Sequence, residues 1–204
     1  MKLSTIQREI IVGKLLGDGH LETQNGLTYR LKIEHSFKQR EYVDWLYNCF
    51  DSWVLQKPSK KKKILFGKEY YNIWFNTLSD VKLRYYGNIF YKEGKKIIPR
   101  NIKKLLSPLA MAVWFMDDGS YKSKAHKSLI LNTQSFCKKD LEFLQQKMME
   151  RYQILSHLRR QKEGIQIEIK KPEAKKFADI ISAHILPSMK YKLEVVGLTN
   201  MPKL

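Results

Sequence analysis

Apolar residues recur along this chain in two rhythms, one helical and one alternating, and the same succession of rhythms is written twice. A mostly apolar stretch at helical spacing, IIVGKLLGDGHLE near the start, returns as LSPLAMAVWFMDDGSY past the middle. Gly19 and Gly119 stand 100 positions apart, and self-similarity at a fixed period marks an internal repeat. After each Asp-Gly comes a short polar turn and then a β-rich run, YRLKIEHSF at 29–37 and SLILNTQSF at 128–136. In the first run Arg30, Lys32 and Glu34 alternate with Leu31 and Ile33, which gives a strand one charged and one apolar face. Each SF leads into an amphipathic helix, KQREYVDWLYNCF in one half and CKKDLEFLQQKMMERY in the other. Two more strands follow in each half, KKILFG with YYNIWFNT and YQILSHLRR with GIQIEIKK, and closing helices are expected at 79–90 and 172–185.

The order per half is helix, two strands, helix, two strands, helix, and a short basic linker, KEGKKIIPRNIKK at 92–104, joins the halves. The pattern predicts an α+β protein of two pseudo-symmetric αββαββα subdomains, residues 1–98 and 99–204. Each would carry a four-stranded antiparallel sheet with helices behind it and its charged face open. Two such sheets related by the repeat form a saddle long enough to lie along duplex DNA, where strand ribbons fit the major groove.

Composition sharpens that picture. The 204 residues include 38 Lys and Arg against 20 Asp and Glu, a net charge of +18, while 43% apolar content supplies a real core. Charge on this scale favours a polyanionic partner bound with counterion release. The excess is shared, with 18 basic against 10 acidic residues in 1–98 and 20 against 10 in 99–204, so no basic arm is appended to a neutral domain. Cys49 and Cys137 lie far apart without CxxC spacing, which argues against structural zinc or a disulfide framework. Charges interrupt the apolar start, which makes a poor signal peptide, and no apolar run approaches the roughly 20 residues of a membrane span.

Each repeat ends its apolar helix on an acidic turn, Gly17-Asp18-Gly19 and Asp117-Asp118-Gly119. A single Asp-Gly usually does no more than end a helix, but two at matching positions ask for more. A carboxylate at a helix C-terminus meets partial negative charge, so something positive should offset it. If the two helices pack side by side, Asp18 and Asp118 meet at the centre and make a hard-oxygen site suited to Mg²⁺ or Mn²⁺. A metal between carboxylates and a scissile phosphate can activate water and stabilise the leaving oxygen. Gly13 and Gly17 are costly inside a helix unless another backbone comes close.

The nonapeptides IVGKLLGDG at 11–19 and MAVWFMDDG at 111–119 resemble the two motifs of monomeric LAGLIDADG homing endonucleases. The likeness extends through KKIIPRNIKKLLSP, KSLILNTQSF and ILPSMKYKL at 185–193. It implies a site-specific double-strand endonuclease that promotes intron mobility and acts as a monomer on a long asymmetric DNA site. It further implies that Asp18 and Asp118 bind metal, with Gly17 and Asp117 beside them, and that Lys96 and Lys192 are active-site lysines. A lysine there would neutralise charge developing at the phosphate. Leu16 and Met116 replace the motif's first Asp, and Val113 stands in place of its Gly.

Candidate DNA contacts are Arg30, Lys32, Lys60, Lys61, Lys62, Lys63, Lys122, Lys124, Lys127, Arg159, Arg160 and Lys170, with the lysine run at 60–63 expected in a hairpin loop against phosphates. The competing reading is an RNA maturase or non-cleaving DNA-binding regulator on the same fold. A basic ribosome-associated protein would leave the duplicated acidic turns without a purpose. Lys-, Ile- and Tyr-rich usage suits an AT-rich genome, so the expected setting is intracellular, in an organelle (mitochondrion or chloroplast) or the bacterial cytoplasm.

Overall fold

The structure, a computed structural model, describes residues 2–123 and 125–197. Helix α1 (Thr5–Leu16) opens on a capping box in which Ser4 accepts the Gln7 N–H and the Gln7 side chain accepts the Ser4 N–H, satisfying two donors that a helix start leaves free. In the second half Ser107 caps the helix Pro108–Asp118 (α5 in chain order), with Pro108 in its first turn. Both helices are buried over most of their length and pack on each other. The contact is close: a Cβ at Gly13 would lie 2.5 Å from the Ala110 carbonyl oxygen and 2.6 Å from the Val113 Cβ, and one at Gly17 would lie 2.6 Å from the Asp117 Cβ. Gly13 admits a neighbouring backbone as expected, while Gly17 makes room for the Asp117 side chain. Val113, which departs from the motif, fills the space that Gly13 leaves.

Two four-stranded antiparallel sheets flank this pair. The first comprises β1 (His20–Glu22), β2 (Arg30–Ser36), β3 (Ser59–Leu65) and β4 (Lys68–Asn76) in the order β1-β2-β4-β3, and the second comprises β7 (Gly119–Tyr121), β8 (Leu129–Leu131), β9 (His157–Gln161) and β10 (Gly164–Ile169) in the order β7-β8-β10-β9. Leu31, Ile33, Ile73 and Phe75 of one sheet and Leu129, Leu131, Ile167 and Ile169 of the other turn inward. Behind them stand α2 (Arg40–Cys49) and α3 (Arg84–Phe90) in one half and α6 (Lys138–Tyr152) and α7 (Glu173–Ile181) in the other. The buried side chains of both halves form one continuous cluster.

Four expectations are corrected. The lysine run is not a loop: Lys60 to Lys63 lie in edge strand β3, paired with Ile73 to Tyr70, and the hairpin turns at Phe66-Gly67 instead. The SLILNTQSF run makes only a three-residue strand, because Asn132 turns its N–H and its side chain to the Asp118 carbonyl and Thr133 bonds the Ile165 carbonyl. Pairing equates Leu31 (opposite Leu21) with Leu129 (opposite Tyr121), so the SF echo sits one residue out of structural register. The linker is built structure, a small hairpin of β5 (Tyr91–Lys92) and β6 (Lys95–Lys96) followed by α4 (Ile102–Leu105).

Candidate active site at the paired helix ends

Because α1 and α5 touch along their C-terminal turns, the two acidic turns meet. The backbone N–H of Asp18 donates to Asp117 Oδ2 at 3.1 Å across the junction. Asp18 has a side chain half exposed to solvent, while Asp118 is partly buried. Burial, then the negative charges of Asp18 and Asp117, push the Asp118 carboxyl up to about 8. Two carboxylates held close enough to repel are a hard-oxygen site suited to a divalent ion.

The positive charge expected at the helix ends is present. Lys96, delivered by β6, donates to the Gly17 carbonyl at 2.7 Å at the end of α1. Lys192, in the 3₁₀ turn Pro187–Val196, donates to the Met116 carbonyl at 2.5 Å and lies 3.4 Å from those of Phe115 and Asp117. Each lysine thus caps the motif helix of its own half, where carbonyls lack intrahelical partners. Burial lowers both ammonium groups, Lys96 to about 8, against the opposing pull of the aspartates.

Asp117, grouped with the metal ligands in the sequence reading, does not face that site. Its carboxylate is wholly buried and taken up by Lys14 Nζ at 2.8 Å, the Tyr42 hydroxyl at 2.7 Å and the Asp18 N–H. One residue before Asp118 on a helix, its side chain points about 100° away, into the interface between α1 and α5. The sequence reading missed its partners. Lys14 is fully buried in the last turn of α1 and also donates to His35 Nε2 at 2.7 Å. An ammonium can only donate, so Nε2 accepts and the neutral ring carries its proton on Nδ1, 3.8 Å from Asp18 Oδ2. Burial and then the Lys14 charge hold His35 down at about 3, so its approach to the aspartates is that of a neutral ring. Burial, followed by the Asp117 charge, raises the Tyr42 phenol well above its ordinary value. A signal existed for two of the missed residues: Lys14 interrupts an apolar motif helix, and His35 continues the inward face of Leu31 and Ile33. In the second repeat the position of Lys14 is held by buried Trp114.

Strand parity sorts the proposed DNA contacts. Arg30, Lys32, Lys61, Lys63 and Arg159 lie on the open sheet faces, whereas Lys60, Lys62 and Arg160 lie on the reverse faces. Lys60 is spoken for, its ammonium 4.0 Å from the centre of the Tyr71 ring and 4.7 Å from that of Phe37. Lys62 pairs with Glu69. On the open faces Arg30 and Lys32 share Glu22 at 2.7 and 3.2 Å, Lys63 meets Glu34 at 2.5 Å and Lys122 meets Glu168 at 3.2 Å. Lys127 and Lys170 are exposed, and Lys124 lies outside the described residues. Among the described residues no cluster of three or more His, Cys, Asp or Glu could hold a metal, so Asp18 and Asp118 would need oxygens from water or a ligand to complete a shell. No described helix is long and apolar enough to cross a membrane.

Residues 8–177 match the LAGLIDADG DNA endonuclease family. The chain is 28% identical over 197 residues to probable intron-encoded endonuclease 1 of Wickerhamomyces canadensis, covering 94% of this chain and 85% of that protein. It is 32% identical over 201 residues to the cytochrome b mRNA maturase bI2 of Saccharomyces cerevisiae, covering 90% of this chain but only 46% of the maturase. Its structure superposes on the homing endonuclease I-WcaI bound to its DNA recognition sequence with a TM-score of 0.89 at 26% identity, over 95% of this chain and 88% of the other.

Proposed function

This chain belongs to the LAGLIDADG DNA endonuclease family, and from that premise we propose that it cuts both strands of a long, asymmetric duplex site with the help of Mg²⁺ or Mn²⁺, acting as a monomer whose halves, 1–98 and 99–204, each supply one carboxylate. The observation that carries this reading is the junction of the two acidic turns, where Asp18 and Asp118 stand together at packed helix ends, near enough that the charge of Asp18, after burial, raises the Asp118 carboxyl. A divalent ion bound there would activate a water and steady the leaving oxygen of each phosphodiester. Asp18 and Asp118 would hold it, and phosphate oxygens and water would complete the shell. Lys96 and Lys192 sit beside the carboxylates with ammonium groups anchored on helix carbonyls, placed to offset charge building on a scissile phosphate. The open sheet faces carry Arg30, Lys32, Lys61, Lys63 and Arg159 toward the duplex, with Lys122, Lys127 and Lys170 exposed at their margins. Cleavage at an insertion site would promote intron mobility, in an organelle or a bacterial cytoplasm.

The test is incubation of purified protein with a supercoiled plasmid carrying the intron-insertion sequence, with Mg²⁺ or with EDTA. Linear product in Mg²⁺ and none in EDTA is expected. The identity to a maturase keeps a second reading in view, that of a chain that binds intron RNA. Tight binding of the plasmid site without cutting, together with binding of intron RNA, would favour it.

A further inference from the structure

The outer hairpin of the first sheet makes a choice that folding alone does not ask for. Strands β3 and β4 close on the pair Leu65 and Lys68, leaving Phe66 and Gly67 as a two-residue loop. Both loop residues have positive φ, +50° and +73°, the type I′ geometry that suits Asn-Gly or Asp-Gly. Phenylalanine is a strained occupant of that left-handed conformation. Here it gains no packing in return, since Phe66 is fully exposed and its neighbours Ile64 and Leu65 are 66% and 54% exposed. On the open face the tip continues through Leu65 and Tyr70, with Lys63 and Lys68 beside them. The corresponding tip of the second sheet, Lys162-Glu163 between Gln161 and Gly164, is polar and exposed.

We propose that Phe66, with Leu65 and Tyr70, forms an aromatic anchor that packs against a base or sugar at one outer flank of the bound duplex. The proposal rests on the nuclease reading and extends it to one half of the target. Charge supports DNA as the occupant, because the apolar tip is set among lysines on a sheet face continuous with the saddle, and proteins stack aromatic side chains on unpaired bases and wedge apolar ones against duplex steps. Reach supports it as well. The row that holds His20, Lys32 and Asn76 lies two residues from Asp18, and β4 runs nine residues from Asn76 out to Lys68. At about 3.3 Å per residue the tip stands about 26 Å out, the length of about eight base pairs. The two flanks of the target are thereby gripped differently, one by an aromatic tip and one by a charged tip.

The discriminating variant is Phe66→Asn, because asparagine suits the turn better than phenylalanine does. Thermal stability is expected to hold or rise, while affinity for a duplex selected on the wild-type protein from a randomised pool falls about tenfold. Phe66→Trp should retain the affinity. On the same duplex shortened by its outer base pairs at that flank, wild type and Phe66→Asn should bind alike. Equal affinity of the two proteins for the full duplex, or an equal loss on both duplexes, overturns the anchor while leaving the nuclease reading intact. Sedimentation without DNA that shows wild type, and not Phe66→Asn, dimerising would assign the tip to a second copy of the chain and overturn it too. Wild-type protein that retains no duplex at all refutes the nuclease reading and the anchor together.

Discussion

At the scale of single residues, the centre of the molecule holds three carboxylates at three depths, Asp18 half exposed, Asp118 partly buried and Asp117 wholly buried. Asp18→Asn and Asp118→Asn should each abolish cutting of both strands in a strand-resolved assay, since both carboxylates would hold the same ion; full cleavage of either strand by one variant would argue against sharing. The raised Asp118 carboxyl has a consequence for stability without metal. Between its ordinary value of 3.8 and about 8 the folded chain keeps a proton that the unfolded chain has lost, so stability falls as pH rises through that window and the penalty is complete above it. Denaturation midpoints in EDTA should therefore decline from pH 5 to 8 in the wild type, and less so in Asp118→Asn. Lys14 and Asp117 form a fully buried ion pair, and removing one partner strands the other, so Lys14→Met should destabilise by about 3–5 kcal/mol. Adding Asp117→Leu should recover part of this, but not all, because the Tyr42 hydroxyl and the Asp18 N–H also lose their acceptor; chemical denaturation of the three proteins measures it. The meeting of Asp18 with Asp118 was legible from two repeated motifs, whereas Lys96 and Lys192 were singled out only by the family resemblance. Lys14, His35 and Tyr42 were not, because their meeting depends on a contact between distant segments that neither motif encodes.

At the scale of elements, the rhythms of the chain were sufficient for the helices and most strands, and failed where side chains compete with the backbone. Past Leu131 the side chains of Asn132 and Thr133 take the in-register carbonyls of Asp118 and Ile165, and no periodicity could show that. The lysine run looked like a loop because four like charges seldom pair, yet β3 is an edge strand whose lysines find Glu69 and the Tyr71 ring across the hairpin and Glu34 one strand further, on β2. The contact between α1 and α5 was anticipated from two glycines, and its tightness sets a clear expectation for Gly13→Ala. The new methyl would gain roughly 1 kcal/mol of helix propensity, but it meets a backbone oxygen at 2.5 Å and Val113 at 2.6 Å. Overpacking of this kind costs about 1–3 kcal/mol, so the midpoint should fall. Val113→Ala in the same chain should restore only part of it, because the Ala110 carbonyl stays in place. A midpoint equal to wild type would mean that the helices can part without cost.

At the scale of the whole molecule, a net charge of +18 invites the expectation of a steep salt dependence, and the pairing on the sheets modifies it. A lysine free in solution neutralises a phosphate and releases a condensed counterion, contributing about 0.9 to the slope of log affinity against log salt. Arg30 and Lys32 already hold Glu22, Lys63 holds Glu34 and Lys122 holds Glu168. A cation held by its own carboxylate offers less net charge to the duplex, so the slope should be shallower than a count of open-face cations would give. The acids also turn the face from a plain polycation into a pattern of donors and acceptors, which base edges in a major groove can distinguish. Glu22→Gln should therefore steepen the slope by about 0.9 or more, tighten binding to unrelated duplex, and narrow the preference for the true site. Glu150→Gln is the control, since it frees Lys103 and Lys147 on and beside α6 instead of on a sheet face, with the same change in total charge. Fluorescence anisotropy from 50 to 200 mM salt reads both. If the two variants steepen the slope equally, net charge alone governs binding and the pairing on the sheets has no part in it.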